Sequence, residues 1–408
     1  MPHVLPRRAA VTVFLAFAFA YFFSALARAI TATLSPTLTH EFALDARDLG
    51  LLGGGYFLGF AATQLPLGAW LDRYGPRHVG SALLGLAVLG CMAFAAADSF
   101  AALLAARVLI GIGVSACLMA ALTGYRRWLS PESLLRANSW MLMTGSLGML
   151  ASTLPVQWLL PQTGWRALFW GQAALMALAL ALLWRLVPRW QPATLAAGPQ
   201  PGYAEVWRHR TFRKMVPIGF FSYGGLVAIQ TLWATPWMTQ VAGQSALQAA
   251  TGLFGINLAM LLTFWAWGLF NPRLLARGWT PDRLIAWGLP SSFLLLAIII
   301  IAGSAVGAWA GVLFALYFMG CSFVSLAQPA VSMAFPAALA GRALSAYNLV
   351  IFVGVFVVQW GIGLLVDGFL HLGWARVAAF QGALGLFLLG CLLSYGYFLL
   401  AKPDNHAQ

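Results

Sequence analysis

Arg28 is a charged residue inside a long apolar stretch near the N-terminus. On a helix it shares one face with four polar residues at steps of three or four, namely Tyr21, Ser24, Thr31 and Ser35. A guanidinium presents its N–H groups as a planar fork that matches a carboxylate or a phosphate. The stripe therefore predicts part of an anion-binding site, made by Tyr21, Ser24, Arg28 and Thr31. The alternative is an arginine that hydrogen-bonds to helix carbonyls or reaches the outer interface.

The composition shows what must position this stripe. Of 408 residues, 61% are hydrophobic and 8% are charged, whereas a soluble domain carries about 25% charged residues. Disordered and disulfide-rich proteins are excluded by the same composition. A helix needs about 20 apolar residues to cross the hydrocarbon core. Twelve such stretches predict an all-α membrane protein with twelve transmembrane helices, at 10–37, 48–70, 78–97, 100–124, 137–160, 165–187, 212–238, 247–271, 283–303, 307–333, 343–366 and 374–400.

The basic residues predict the orientation of these spans. With the N-terminus in the cytoplasm, 18 of the 23 Lys and Arg residues lie on the cytoplasmic side. Three lie outside, Arg47, Arg166 and Arg376, and two lie within spans, Arg28 and Arg107. Cytoplasmic loops carry the excess of basic residues in membrane proteins. We therefore expect an inner-membrane protein with both termini cytoplasmic. Its net charge of +13 is expected to interact with anionic lipid headgroups and not with nucleic acid.

Two short patterns recur along the chain and indicate an internal repeat. The recurring pairs are Gly68 and Arg73 with Gly268 and Arg273, and Gly164-Trp165 with Gly373-Trp374. They fall after spans 2 and 8 and before spans 6 and 12. The recurrence predicts two six-helix halves, 1–187 and 212–408. A cytoplasmic linker, 188–211, joins them and is expected to contain a short surface helix near 203–209.

The loop after the second span combines two glycines with three charged residues. It reads Gly68-Ala-Trp-Leu-Asp72-Arg73-Tyr-Gly75-Pro-Arg77. Gly68 and Gly75 permit tight turns and close helix approach. Asp72 is placed where the positive ends of helices can stabilise it. The two arginines offer forked donors to carbonyls and lipid phosphates.

This loop resembles the signature loop of the major facilitator superfamily, and Arg107-x-x-x-Gly111-x-Gly113 resembles its second motif. The resemblance covers essentially the whole chain, including the repeat, the linker and the topology. It implies a carrier that rocks its two halves about a central cavity near mid-membrane. It also implies a cytoplasmic gate, for which we expect Gly68, Asp72, Arg73, Gly75, Arg77 and Arg107. In the second-half loop Pro272 stands where Asp72 does in the first, which predicts a degenerate latch there.

The resemblance implies that the cavity is lined by polar residues of the other spans. The uncharged candidates are Tyr56, Asn138, Trp140, Tyr223, Gln230, Trp237, Asn257, Gln328, Tyr347 and Asn348. Each taken alone is more typical of a hydrogen bond between helices. Together they predict a cavity of hydroxyls, amides and aromatic rings that contains one or two positive charges.

No carboxylate or histidine lies in the middle of a predicted span, although proton-driven carriers usually keep one there. Three mechanisms therefore remain open. The carrier exchanges one anion for another, or moves its substrate downhill, or lets the proton travel on the substrate or on an outer-end group such as Asp367 or His371. We favour exchange or substrate-linked proton symport.

We predict a secondary transporter of a small organic anion, with a carboxylate facing Arg28, and no cofactor or metal. The alternative is an efflux carrier for neutral or amphipathic drug-like compounds. Related drug carriers often have a glycine-proline end to span 5 and an acidic residue in span 1, whereas this chain has Leu154-Pro155 and Arg28. No catalytic constellation or phosphate-cradling loop indicates an enzyme. A monomer is the default.

Overall fold

The computed structural model describes residues 5–189 and 202–401, and all regular elements in this part are helical. In chain order the α-helices are α1 (Arg7–Phe42), α2 (Ala46–Ala62), α3 (Gln64–Ala95), α4 (Phe100–Val114), α5 (Ala116–Trp128), α6 (Pro131–Ala151), α7 (Leu154–Leu186), α8 (Tyr203–Arg208), α9 (Arg210–Ile218), α10 (Gly224–Ala228), α11 (Ala234–Pro236), α12 (Ala246–Ala276), α13 (Pro281–Ala302), α14 (Ala310–Cys321), α15 (Ala327–Met333), α16 (Ala337–His371) and α17 (Arg376–Leu400). Three π-helical turns follow α9, α10 and α11 in this order, so that these helices form one continuous helical run. The turns are Gly219–Tyr223, Ile229–Trp233 and Trp237–Val241. Short 3-10 segments, Gly303–Trp309 and Ser322–Leu326, flank α14.

Nine helical runs in the described residues are long and apolar enough to cross a membrane. The twelve predicted spans lie mostly within helical backbone, although span 78–97 extends past the end of α3 at Ala95 and span 374–400 begins before α17 at Arg376. Some of the nine runs contain parts of two spans, so the count of twelve stays a prediction. The run through α3 breaks at Gly75, with φ 78°, and the run through α7 breaks at Gly164, with φ 74°. The run Pro281–Met333 contains two spans, with Gly303 and Gly307 at positive φ between them. Only glycine adopts such angles readily, so these residues separate consecutive spans.

Close contacts group the chain into two compact units. The first consists of Met1–Ile30 with Gly55–Pro199, and the second of Thr31–Gly54 with Gln200–Gln408. The predicted division into 1–187, a linker and 212–408 stays a prediction, and residues 190–201 of that linker lie outside the described residues. The short helix α8 lies where the sequence predicted one.

In the first unit, α4 packs directly against the backbones of α2 and α3. A methyl group added at Gly111 would lie 1.9 Å from the Tyr56 carbonyl oxygen, and one at Gly113 would lie 2.2 Å from the Ala87 nitrogen. Small residues allow such close approach between membrane helices. The two motif glycines therefore bring Arg107, one turn earlier on α4, against α2.

In the second unit, the start of α2 packs against the end of α16. The Asp367 carboxylate accepts hydrogen bonds from the backbone N–H groups of Ala46 at 3.2 Å and Arg47 at 2.7 Å. A methyl group added at Gly363 would lie 2.3 Å from the Ala46 oxygen. A carboxylate stabilises the positive N-terminal end of a helix, so Asp367 acts as a cap supplied by a distant segment.

Candidate substrate site

Two arginine side chains flank Tyr56 in the first unit. The Arg107 guanidinium lies 5.1 Å from the centre of the Tyr56 ring, and Arg28 interacts electrostatically with the Tyr56 hydroxyl. That hydroxyl also donates to the Ser24 carbonyl oxygen at 3.4 Å. Tyr56 itself is fully buried. The arrangement concentrates positive charge around one phenol within membrane-spanning helices.

The two arginines differ in their access to solvent. Arg107 is completely buried, and its Nη1 donates to the Ala27 carbonyl oxygen at 2.9 Å. Arg28 is half-buried, and its guanidinium lies 5.7 Å from the centre of the Phe60 ring. Arg28 is therefore the more accessible of the two side chains, whereas Arg107 joins α4 to α1.

The polar stripe predicted for the first span lies on one continuous helix, α1. Tyr21, Ser24 and Thr31 are buried, with exposed fractions of 7%, 1% and 2%. The Tyr21 ring packs so closely on α6 that a methyl group at Gly145 would lie 2.5 Å from it. The stripe therefore faces protein and not lipid.

Five predicted residues of the second unit form two amide networks. Gln230 Nε2 donates to Asn257 Oδ1 at 2.9 Å, and both residues are buried. The Tyr223 hydroxyl donates to Gln328 Oε1 at 3.4 Å, and Gln328 Nε2 donates to Asn348 Oδ1 at 2.7 Å. The second network is half-buried, so its donors and acceptors can be exchanged for those of a solute.

Three of the predicted residues share an unusual backbone. Tyr223, Gln230 and Trp237 each lie in one of the three π-helical turns between α9 and α12. Such turns shift the helical register and occur frequently at functional sites. The three residues are seven positions apart in the sequence, and each lies in a separate π-helical turn.

Four predicted residues join neither network. The Tyr347 hydroxyl is buried and donates to the Met215 carbonyl oxygen at 3.2 Å. Trp237 is 1% exposed and packs among aromatic rings. Trp140 is 54% exposed, and Asn138 is half-buried. Tyr347 and Trp237 lie in the interior of the second unit, and their substrate contacts stay a prediction.

The predicted gate loop turns at one residue. Gly75 has φ 78° and ψ 165°, and Pro76 begins the next helical segment. A left-handed angle is accessible to glycine at little cost, and proline suits the first helical position. At Gly68 the structure shows no close approach, because an added methyl group would meet no atom within 4 Å. The turn at Gly75 agrees with the sequence interpretation, whereas Gly68 has room for a side chain in the part of the chain described here.

The charged residues of the loop divide into two kinds. Asp72 and Arg73 are exposed, and the Arg73 guanidinium lies 5.2 Å from the Tyr74 ring centre. Arg77 is half-buried, with its guanidinium 4.7 Å from the Trp184 ring centre. Cation–π contact of this kind contributes about 0.5–2 kcal/mol. Arg77 therefore holds the loop against α7.

Sequence reasoning missed two features of the structure. The first is the position of the Arg28 guanidinium over the Phe60 ring. Phe60 lies four residues after Tyr56, about one helical turn, so the sequence could have indicated that both rings share a helix face. Lys214 and Asp282 form an ion pair of 2.5 Å in the second unit, with Lys214 9% exposed and Asp282 37% exposed. The two residues are 68 positions apart, and nothing local in the sequence connects them.

Comparison with known proteins identifies the family. The family model for the Major Facilitator Superfamily matches residues 17–359. The chain belongs to the major facilitator superfamily. It is therefore an integral membrane transporter and not an enzyme. The fold is shared with a solved structure: the chain aligns with a D-xylose-proton symporter with a TM-score of 0.78, at 14% identity, covering 98% of this chain and 99% of that one.

A second solved structure and three curated relatives are also similar to this major facilitator. A bacterial homologue of the human lysosomal transporter Spinster aligns with a TM-score of 0.74, at 18% identity over 97% of this chain and 98% of that one. The probable L-galactonate transporter of Escherichia coli strain K12 is 23% identical over 69% of this chain and 64% of its own length. The 4-hydroxybenzoate transporter PcaK of Pseudomonas aeruginosa is 30% identical over 40% of this chain and 37% of its own. The multidrug resistance protein MdtL of Shigella flexneri is 27% identical over 59% and 62%. The chain thus spans less than two thirds of the curated relatives it matches.

Proposed function

We propose that this major facilitator carrier moves a small organic anion, with a carboxylate of the substrate facing Arg28. The observation that carries the proposal is the arrangement of Arg28 and Arg107 around Tyr56. An arginine at the centre of a membrane helix costs about 2.5–3.5 kcal/mol on insertion scales. Two arginines around one tyrosine indicate that the charge serves a purpose, and binding an anion is the chemistry that suits a guanidinium.

The neutral polar groups favour the same substrate class. None of the ten acidic residues of the sequence lies in the middle of a predicted span, so a cation would find no counter-charge there. The amide and hydroxyl groups of Tyr223, Gln328 and Asn348 offer both donors and acceptors. L-Galactonate and 4-hydroxybenzoate, named for two relatives, are both carboxylates that carry hydroxyl groups. A hydroxylated carboxylate is therefore the substrate class that we propose.

We further propose that transport proceeds by alternating access, with exchange or substrate-linked proton symport. The cytoplasmic gate is assigned to Gly68, Asp72, Arg73, Gly75 and Arg77, with Arg107 as a hydrogen-bonding brace between α1 and α4. Support comes from the turn at Gly75 and from the bond of Arg107 to the Ala27 carbonyl. The carrier is placed in the inner membrane with both termini cytoplasmic, because of the unequal distribution of basic residues. It is taken to act as a monomer.

The test is a thermal-shift screen of the purified carrier against a panel of hydroxylated carboxylates, simple carboxylates, sugars and organic cations. A ligand that binds only the folded state raises its stability, by about 2.7 kcal/mol at a hundredfold excess over Kd. Carboxylates are expected to stabilise the wild type. Arg28→Lys keeps the charge but loses the fork, and should weaken this binding by about 10- to 100-fold, which corresponds to one or two charge-assisted hydrogen bonds. Arg273→Lys is the matched control, because Arg273 is exposed and donates to the Leu269 carbonyl of its own helix; it should bind like wild type.

Efflux of neutral or amphipathic compounds is the second candidate, and the similarity to MdtL favours it. Stabilisation by apolar compounds that is equal in wild type and Arg28→Lys would support efflux and refute the anion proposal. Uptake of the stabilising compound into proteoliposomes would then establish transport. An Arg28→Lys protein that binds carboxylates with wild-type affinity would remove Arg28 from the site.

A further inference from the structure

An apolar groove runs along the surface of the first unit between α1, α6 and α7. Leu15, Phe19 and Phe22 of α1 form one wall, and Leu182 and Leu186 of α7 form the other. Leu15 is 58% exposed and Leu186 is 39% exposed. Apolar side chains this exposed on membrane-spanning helices face hydrocarbon and not water.

The two hydroxyl groups in the groove are already satisfied. Thr12 Oγ1 donates to the Arg8 carbonyl at 3.0 Å, and Thr144 Oγ1 donates to the Trp140 carbonyl at 2.8 Å. Each threonine thus hydrogen-bonds within its own helix. The groove therefore offers no hydroxyl donor to a polar solute, and its lining suits a hydrocarbon chain.

The length of the groove matches one leaflet of a bilayer. On α1 the lining extends from Thr12 to Phe22, which at a rise of 1.5 Å per residue is about 15 Å. The hydrocarbon core is about 30 Å thick, so one leaflet contributes about 15 Å. An acyl chain lying in the groove would span the depth of its own leaflet.

Positive charge lies at one end of the groove. Arg8 is one helical turn before Thr12 on the same face of α1, and Arg185 lies between Leu182 and Leu186 near the end of α7. Both arginines are exposed. A guanidinium fork binds a phosphate well, so this end of the groove has the charge to hold a lipid headgroup.

We propose that this groove binds one anionic phospholipid, with an acyl chain along α1 and α7 and its phosphate at Arg8 and Arg185. The lipid belongs to the leaflet on the Arg8 side of the protein. None of the groove residues belongs to the cluster around Tyr56, so the proposal stands independently of the transported substrate. Each basic residue near an anionic lipid surface contributes about fivefold in affinity, or about 1 kcal/mol. The loss of both arginines should therefore reduce the preference for anionic lipid by about 5- to 25-fold.

The experiment places a fluorophore in the groove and quenches it with brominated lipids. The four native cysteines are buried, so bimane coupled to Leu15→Cys labels the groove selectively. Leu393→Cys on α17, at a residue 68% exposed, is the control site outside the groove. Each labelled carrier is reconstituted in bilayers that contain equal fractions of phosphatidylglycerol and phosphatidylcholine, with only one of the two brominated. The variants are Arg8→Gln with Arg185→Gln, and the matched pair Arg126→Gln with Arg277→Gln, which removes the same charge from exposed residues elsewhere.

The expected result is stronger quenching at position 15 by brominated phosphatidylglycerol than by brominated phosphatidylcholine. This preference should be lost with Arg8→Gln and Arg185→Gln, kept with the matched pair, and absent at position 393. Equal quenching by the two lipids at position 15 would overturn the proposal, as would a preference that survives the loss of both arginines. Protection of the fluorophore from both lipids would also overturn it and would indicate that a protein surface covers the groove.

Discussion

The packing of α4 on α2 leads to a sharp prediction for Gly111→Ala. The added methyl group would lie 1.9 Å from the Tyr56 carbonyl oxygen and 2.8 Å from its carbonyl carbon. Both are backbone atoms, so relief requires the two helices to separate by more than 1 Å, and no side chain can rotate away. Overpacking of this kind costs about 1–3 kcal/mol, and replacing a helical glycine by alanine returns about 0.5–1 kcal/mol. The difference between these two ranges is a net loss of up to about 2.5 kcal/mol in the free energy of unfolding.

The matched control is Gly255→Ala in the middle of α12. That glycine is exposed, and a methyl group there would meet no atom within 4 Å. The substitution should therefore stabilise the protein by about 0.5–1 kcal/mol through helix propensity alone. Both variants are compared with wild type by unfolding in one detergent, followed by intrinsic fluorescence.

The same substitution should also alter transport. Separating α4 from α2 moves Arg107 away from Tyr56, so Gly111→Ala should reduce uptake into proteoliposomes, whereas Gly255→Ala should not. Equal stability of the two variants would show that α4 and α2 are not in close contact, and would refute the packing described here. Lower stability with unchanged uptake would refute the link between this packing and the site.

The remaining predictions concern the second unit and the gate. Lys214 is more buried than its partner Asp282. Asp282→Asn leaves the buried cation without its counter-charge and should lower the free energy of unfolding by about 3 kcal/mol, whereas Lys214→Met should lower it by less. Equal losses in denaturant unfolding would contradict this order. Asp367→Asn should cost about 1 kcal/mol, because the N-terminus of α2 loses a charged cap, and an unchanged unfolding midpoint would show that the cap is dispensable. Asp72→Asn should slow turnover more than it weakens substrate binding if the loop is a latch, and weaker binding with normal turnover would refute that role.

Much of the fold could be predicted because its signals are local. A run of about 20 apolar residues needs no partner to identify it as a membrane helix, and the twelve predicted spans lie mostly in helical backbone. The turn at Gly75 is similarly local, because its left-handed angle depends on the absence of a side chain at one position. The register of Tyr21, Ser24 and Arg28 on one face of α1 follows from helical periodicity alone.

The candidate site was predictable as a set of residue types but not as a set of contacts. The sequence indicated Gln230, Asn257, Gln328 and Asn348 as polar residues in apolar spans, since such residues need partners in lipid. Which residue pairs with which depends on how distant helices pack. Trp237 is likewise a residue with a polar group in an apolar span, but in the structure its ring packs among other aromatic rings.

The sequence by itself determined the class of molecule, the approximate course of its apolar helices and the presence of a costly arginine in the first of them. These properties depend on hydropathy and on local backbone preference, which act over about one helical turn to one span. Only the tertiary structure decided that Arg28 and Arg107 both interact with Tyr56, and that the Asp367 carboxylate caps the N-terminus of α2. Arg107 reaches a carbonyl 80 residues away and Asp367 reaches an N–H 320 residues away. Such pairs form because glycines let particular helices approach, and a linear pattern of apolar and polar residues does not specify which helices meet.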